Sequence, residues 1–199
     1  MRIGKHSSTW LVGGVLALAV PFCLAQTNPQ QSQMPQQGQA SSQPSHSAMS
    51  ANQRAADLLN TVNKDEIDTA QMMQDHTQNT AVKDFAQTLV NDHKDAQQKL
   101  ETAAGQSNIN LQENKSMQNQ DSKLKDRLQN ENGAASDKAF VNSEIRDHRT
   151  AIRELKRLEP QITDPGLKDV VQNAIPVMQK HLDAAQKLQS QLGGKSSGK

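Results

Sequence analysis

Two stretches of this chain decide its fold: FAQTLVNDHKDAQQKL at residues 85–100 and FVNSEIRDHRTAIREL at residues 140–155. They share one pattern with identical offsets, namely a phenylalanine, an Asp-His pair, an alanine and a leucine. Residues at these spacings fall on one face of an α-helix. The repeat therefore predicts two related amphipathic helices. A later segment repeats the second half of the pattern as His181, Ala184 and Leu188.

The same helical periodicity continues through residues 50–192, and residues typical of helix ends divide it into segments. These boundary residues are the capping box Ser50 to Gln53, Asn79-Thr80, Gly105, the N-cap Ser136, Pro160, and Asp164-Pro165. A shorter amphipathic segment covers residues 116–129. No segment alternates with a period of two, as a strand would. We predict an all-α fold, an antiparallel four-helix bundle with a short extra helix before the third long helix.

The flanking segments differ in composition from this bundle. Residues 1–25 combine Arg2 and Lys5 with an apolar run that is too short to span a membrane, which predicts a signal peptide cleaved after Ala25. Residues 26–49 are rich in Gln, Ser and Pro and contain no Asp, Glu, Lys or Arg, which predicts a disordered spacer. Residues 193–199 are expected to form a flexible tail. We expect a periplasmic or secreted protein with no membrane span after cleavage.

Composition excludes several functions for the mature chain. Loss of Cys23 with the signal peptide leaves no cysteine, so thiol catalysis and thiolate metal sites are excluded. Loss of Arg2 and Lys5 leaves 20 basic against 21 acidic residues, a net charge of −1, so we expect no nucleic-acid partner. No nucleophile motif or phosphate-binding loop is present, and we expect no enzymatic activity. An envelope protein partner or self-association stays open.

Helix phase places three histidines and one glutamate toward the core. His93, His148 and His181 each share a helix face with apolar residues three and seven positions later. Glu66 lies on the corresponding face of the first helix. Buried groups of this kind need partners, because an unpaired one costs about 1–3 kcal/mol. We therefore expect one carboxylate and three imidazoles, one from each long helix, to meet inside the bundle.

Two interpretations of this cluster stay open. Imidazole and carboxylate together form an ordinary ligand set for a divalent transition metal, and bundle cores are where helical metal sites are built. The sharper hypothesis is one metal bound by Glu66, His93, His148 and His181, with Asp92 and Asp147 supporting the ligands. The other is a buried hydrogen-bond network without metal. A ferritin-type di-iron site is disfavoured, because the chain contains no Glu-x-x-His sequence.

At these residues the chain resembles the DUF4142 family, bacterial proteins of unknown function often described as outer-membrane proteins. The matching stretches are residues 65–68 (DEID), 82–86 (VKDFA), 89–93 (LVNDH), 147–148 (DH) and 175–182 (IPVMQKHL). The resemblance covers about residues 52–188. It implies a ferritin-like bundle and an exported location, and it implies no activity. Ala70 and Ser136 depart from the family pattern, where a glycine and an aromatic residue are usual.

Three functions are compatible with these observations. The first is an exported helical bundle of unknown activity that binds a metal or small ligand at the Glu/His cluster. The alternative is a structural or interaction module of the cell envelope with no ligand site. A redox enzyme is the weakest of the three.

Overall fold

The computed structural model describes residues 49–194, and every regular element in this range is helical. The four long helices are α1 (Ala51–His76), α2 (Thr80–Gln106), α4 (Ala134–Leu158) and α5 (Pro165–Gly194). A shorter helix, α3 (Lys115–Asn130), precedes α4, and one 3₁₀ turn (Glu159–Gln161) follows it. The all-α fold with a short extra helix is thereby confirmed. The predicted signal peptide, the spacer up to residue 48 and the end of the tail lie outside the described residues.

Neighbouring long helices run antiparallel. Helices α1 and α5 each pack against both α2 and α4. At the end of α1, Thr77 Oγ1 donates to Asp137 Oδ1 at 2.6 Å, near the start of α4. At the start of α1, Asn52 Oδ1 accepts from the backbone N–H of Thr163 at 2.9 Å, just before α5. Helices α1 and α5 therefore point one way, and α2 and α4 point the other.

Since α2 and α4 point the same way, the chain between them must return along the whole bundle. Helix α3 provides this return by lying beside α1 and running parallel to it. Thr61 Oγ1 accepts from the backbone N–H of Asn114 at 2.9 Å, and Thr69 Oγ1 donates to Asp121 Oδ1 at 2.6 Å. Farther along, His76 Nε2 lies 2.8 Å from the Glu131 carbonyl oxygen. One long crossover of this kind is the connectivity of ferritin-like bundles.

Of two predicted N-caps, the one at the start of α1 is confirmed and the one at the start of α4 is wrong. Ser50 Oγ accepts from the backbone N–H of Gln53 at 3.1 Å, which confirms the N-cap of α1. The prediction that Ser136 caps α4 is wrong, because the N-cap is Gly133 with φ 60°. Glycine adopts this left-handed value without a steric penalty, so the helix begins earlier. Ser136 is instead buried in the first turn, 3.6 Å from Met73 Sδ.

The core consists of aliphatic side chains with few aromatic ones. Phe140 is fully buried, and its ring centroid lies 6.1 Å from that of Phe85.

Helix α5 continues through Gly193 and Gly194, which the sequence analysis assigns to the flexible tail. Within the described part of the chain, no helix is both long enough and apolar enough for a membrane crossing.

Candidate metal centre

Three imidazoles meet in the interior of the bundle. His93 comes from α2, His148 from α4 and His181 from α5, and their side chains are only 1–3% exposed. Their ring centroids are 5.2 to 5.7 Å apart. One nitrogen of each ring lies within 4.8 Å of a nitrogen of each other ring. The structure thus brings together all three histidines that helix phase placed inward, and we call them the histidine triad.

One nitrogen of each ring is hydrogen-bonded to an oxygen atom. His93 Nδ1 lies 3.0 Å from Asn63 Oδ1, His148 Nδ1 lies 3.1 Å from the Glu144 carbonyl oxygen, and His181 Nε2 lies 2.8 Å from Asp92 Oδ2. These oxygens only accept hydrogen bonds, so each facing nitrogen carries the proton in the neutral ring. The Asn63 amide is oriented by its own Nδ2, which donates to Gln97 Oε1 at 3.2 Å.

The other nitrogen of each ring is therefore left with a lone pair. His148 Nε2 lies 3.2 Å from His181 Nδ1, and His93 Nε2 is buried without a hydrogen-bond partner among the described residues. Two lone pairs at this separation repel each other unless a proton or a cation lies between them. His93 Nε2 and the facing nitrogens of His148 and His181 therefore lack a proton donor in the neutral rings.

Burial keeps these rings neutral. It lowers the pKa of His93 well below its usual value, and the neighbouring His148 and His181 lower it further. Burial is also the main reason that the pKa of His148 falls to about 3. For His181, burial lowers the pKa although Asp92 opposes the shift. At neutral pH all three rings can therefore use a lone pair as a metal ligand.

Glu66 does not join the histidine triad, which corrects the predicted four-ligand site. Glu66 Oε1 lies 3.7 Å from His148 Nδ1, on the ring edge opposite the nitrogen that faces His181. Glu144 Oε2 lies 3.5 Å from the same Nδ1. A metal bound by the triad would be on the far side of the His148 ring from both carboxylates. Glu66 and Glu144 form a second cluster, which we call the carboxylate pair.

The two aspartates predicted to support the ligands have different positions. The Asp92 carboxylate accepts a hydrogen bond from His181 Nε2 at 2.8 Å. Within residues 49–194, Asp147 forms no hydrogen bond with an imidazole, contrary to the prediction. Its carboxylate accepts from Ser143 Oγ at 2.8 Å and from Arg146 at 2.8 and 2.9 Å.

The predicted site left out two residues of this region. Glu144 lies four positions before His148, and this spacing places its carboxylate on the inward helix face with His148. Asn63 lies three positions before Glu66 on the inward face of α1, and it forms a buried amide network with Gln97. For both Glu144 and Asn63, the sequence feature that predicts an inward polar side chain is a polar residue on an otherwise apolar helix face.

Burial raises the pKa of the acidic groups beside the triad. The pKa of Glu66 is well above its usual value because of burial first and the Glu144 charge second. Burial raises the pKa of Glu144 to about 7. The pKa of Asp65 also rises to about 7, through burial and then through Asp121. Each of these carboxyls therefore holds its proton to a higher pH than an exposed carboxyl does.

Comparison with known proteins identifies the family. A family model described as a domain of unknown function, DUF4142, matches residues 35–188. Its N-terminal end lies within the segment interpreted as a spacer, and it includes every helix up to most of α5. No curated protein and no solved structure matches the chain. The chain therefore belongs to the DUF4142 family, as the motifs around its histidines indicated.

Proposed function

We propose that this protein binds one divalent transition-metal ion through His93 Nε2, His148 Nε2 and His181 Nδ1. One observation carries the proposal: each of three buried imidazoles has one nitrogen hydrogen-bonded to an oxygen, and one nitrogen of each ring lies within 4.8 Å of a nitrogen of each other ring. Metal-binding histidines usually donate their other N–H to a carboxylate, carbonyl or amide oxygen, which fixes the tautomer and the ring orientation.

The spacing suits a metal bound by nitrogen. Ligand atoms about 2.0–2.1 Å from a tetrahedral zinc ion lie about 3.3–3.4 Å apart. The 3.2 Å between His148 Nε2 and His181 Nδ1 is close to this value. Neutral imidazoles suit zinc, copper and nickel, and three of them would leave one coordination position for water. The Asp92 carboxylate beside His181 would offset part of the ion's charge.

The competing occupant is a proton. A proton on His181 Nδ1 would satisfy His148 Nε2, because the charged ring could donate to both His148 and Asp92. It would leave His93 Nε2 buried without a partner, whereas a metal ion would satisfy all three nitrogens. Burial also lowers the pKa of His181, which disfavours its charged form.

The role that fits best is metal holding in the cell envelope without catalysis. The triad side chains are almost completely buried, which restricts the access of a substrate to the fourth coordination position and so favours retention of an ion over turnover. Export after Ala25 is part of this proposal, and it rests on the composition of residues 1–25. The intact mass of the protein as processed by the cell tests the cleavage site.

Metal binding is tested with the processed protein, purified without an affinity tag. Titration calorimetry with zinc and copper should give one ion per chain, and excess metal should stabilise the fold by about 3 kcal/mol at 100 times Kd. His93→Gln, His148→Gln and His181→Gln should each weaken binding by more than about 100-fold. His76→Gln at the end of α1 is the matched control and should bind as the wild type does.

Circular dichroism establishes that each variant is folded before its affinity is compared. Equal metal-induced stabilisation in the wild type and a triad variant would contradict the proposal. Absence of any shift with zinc, copper and nickel would favour the structural or interaction module without a ligand site.

A further inference from the structure

The carboxylate pair is buried and only partly satisfied. Glu66 is 7% exposed and Glu144 is 2% exposed, where α1 packs against α4. Glu66 Oε2 and Glu144 Oε2 accept no hydrogen bond from a donor group within residues 49–194, and the two carboxyls lie close enough to hydrogen-bond to each other when one of them is protonated. Two buried carboxylates without a counter-charge are strongly unfavourable, because charge burial is tolerated when the group is paired or coordinates a metal. This pair needs a positive occupant.

A small cavity adjoins the pair. Its volume is about 60 Å³, and helices α1, α3 and α4 line it. Five carboxylates contribute to the lining, from Asp65, Glu66, Asp121, Glu144 and Asp147. Arg146 is the one cationic residue in this lining, and it is already bonded to Asp147 and Ser143. The nearby Lys125 is bonded to Asp121 and Asp68. Acidic side chains therefore outnumber basic ones around the cavity.

We propose that Glu66 and Glu144 bind a second cation, a hard divalent ion of the Mn²⁺ or Mg²⁺ class, in the cavity lined by Asp65 and Asp121. The two buried oxygens without a donor call for a positive occupant, and the cavity that Glu66 and Glu144 help to line accommodates about two waters. Oxygen ligands with retained water are what Mn²⁺ and Mg²⁺ prefer.

His148 is not a ligand of this second ion. Its Nδ1 donates to the Glu144 carbonyl oxygen, so the ring edge toward the carboxylate pair has no free lone pair. The second site therefore offers oxygen atoms alone, whereas the histidine triad offers nitrogen atoms alone. The two sites lie on opposite edges of the His148 ring and select different classes of metal.

The test uses Mn²⁺ as the probe with the processed full chain at about pH 8, because metal binding displaces protons from carboxyls and is favoured by higher pH. Electron paramagnetic resonance of free Mn²⁺ should report one bound ion per chain. Glu66→Gln and Glu144→Gln keep side-chain volume and remove one ligand each, and each should weaken Mn²⁺ binding by about 10-fold or more. Asp169→Asn on the exposed face of α5 is the matched control and should leave binding unchanged.

His181→Gln separates this proposal from the histidine metal site. It removes one triad ligand and should leave Mn²⁺ affinity within about 2-fold, so either site can fail without the other. Weak Mn²⁺ binding that is equal in the wild type, Glu66→Gln and Asp169→Asn would mean surface binding only and would overturn the inference. No binding at all, with an infrared carboxylic acid band that persists in excess Mn²⁺, would overturn it in favour of a shared proton.

Discussion

Replacing Glu144 with glutamine should stabilise the metal-free protein at alkaline pH and leave it nearly unchanged in acid. Glu144 is 2% exposed and lies beside Glu66, so ionisation of both carboxyls in the folded state is unfavourable. Glutamine has almost the same shape, carries no charge, and can donate its amide N–H to Glu66. The backbone carbonyl that accepts from His148 is retained in the variant.

The magnitude follows from the pKa of Glu144, which burial raises from 4.5 to about 7. Between these values the folded state binds more protons than the unfolded state, so the free energy of unfolding falls as pH rises. A shift of this size corresponds to about 3 kcal/mol lost by the wild type above about pH 7. The glutamine variant avoids that loss, which should raise its Tm by about 6–12 °C at pH 8.

The assay is urea unfolding in the presence of a chelator, followed by circular dichroism, at about pH 5 and about pH 8. Burial lowers the pKa of His148 to about 3, so the histidines contribute stability that is lost as pH falls. The histidine contribution is the same in the wild type and in Glu144→Gln, so it cancels when their free energies of unfolding are subtracted. Asp169→Asn serves as the exposed control. A difference between wild type and Glu144→Gln that is equal at both pH values would refute the reasoning.

Three further outcomes are expected. Asn63→Leu removes the acceptor of His93 Nδ1 and should weaken zinc binding by about 10–100-fold in a competition assay, and unchanged affinity would remove Asn63 from the site. Phe140→Ala empties a fully buried position and should cost about 3–5 kcal/mol in urea unfolding, so a loss under 1 kcal/mol would count against its place in the core. Gly133→Ala should cost about 1–3 kcal/mol because of its φ of 60° alone, since an added Cβ meets nothing within 4 Å. An equal Tm for Gly133→Ala and wild type would show that the backbone relaxes there.

Much of the fold could be predicted from local patterns in the sequence. Apolar spacing gave the four long helices and the short fifth one, and the phase of His93, His148 and His181 placed them inward. The prediction that Ser136 caps α4 was wrong because serine is also tolerated inside a helix. The backbone conformation of Gly133 decides where α4 begins. Helix boundaries depend on such single conformations, which composition does not specify.

Which of the buried polar groups meet each other was decided by tertiary packing. Periodicity fixes the angle at which a side chain leaves its own helix, and this was enough to place three histidines and Glu66 on inward faces. It says nothing about the axial offset between helices, which is set by interdigitating side chains and by the crossover through α3. That offset placed Glu66 on the Nδ1 edge of His148 beside Glu144, and placed His181 on the Nε2 edge. The sequence alone therefore determined that these polar groups are buried, and only the packing of one helix against another divided them into a nitrogen cluster and an oxygen cluster.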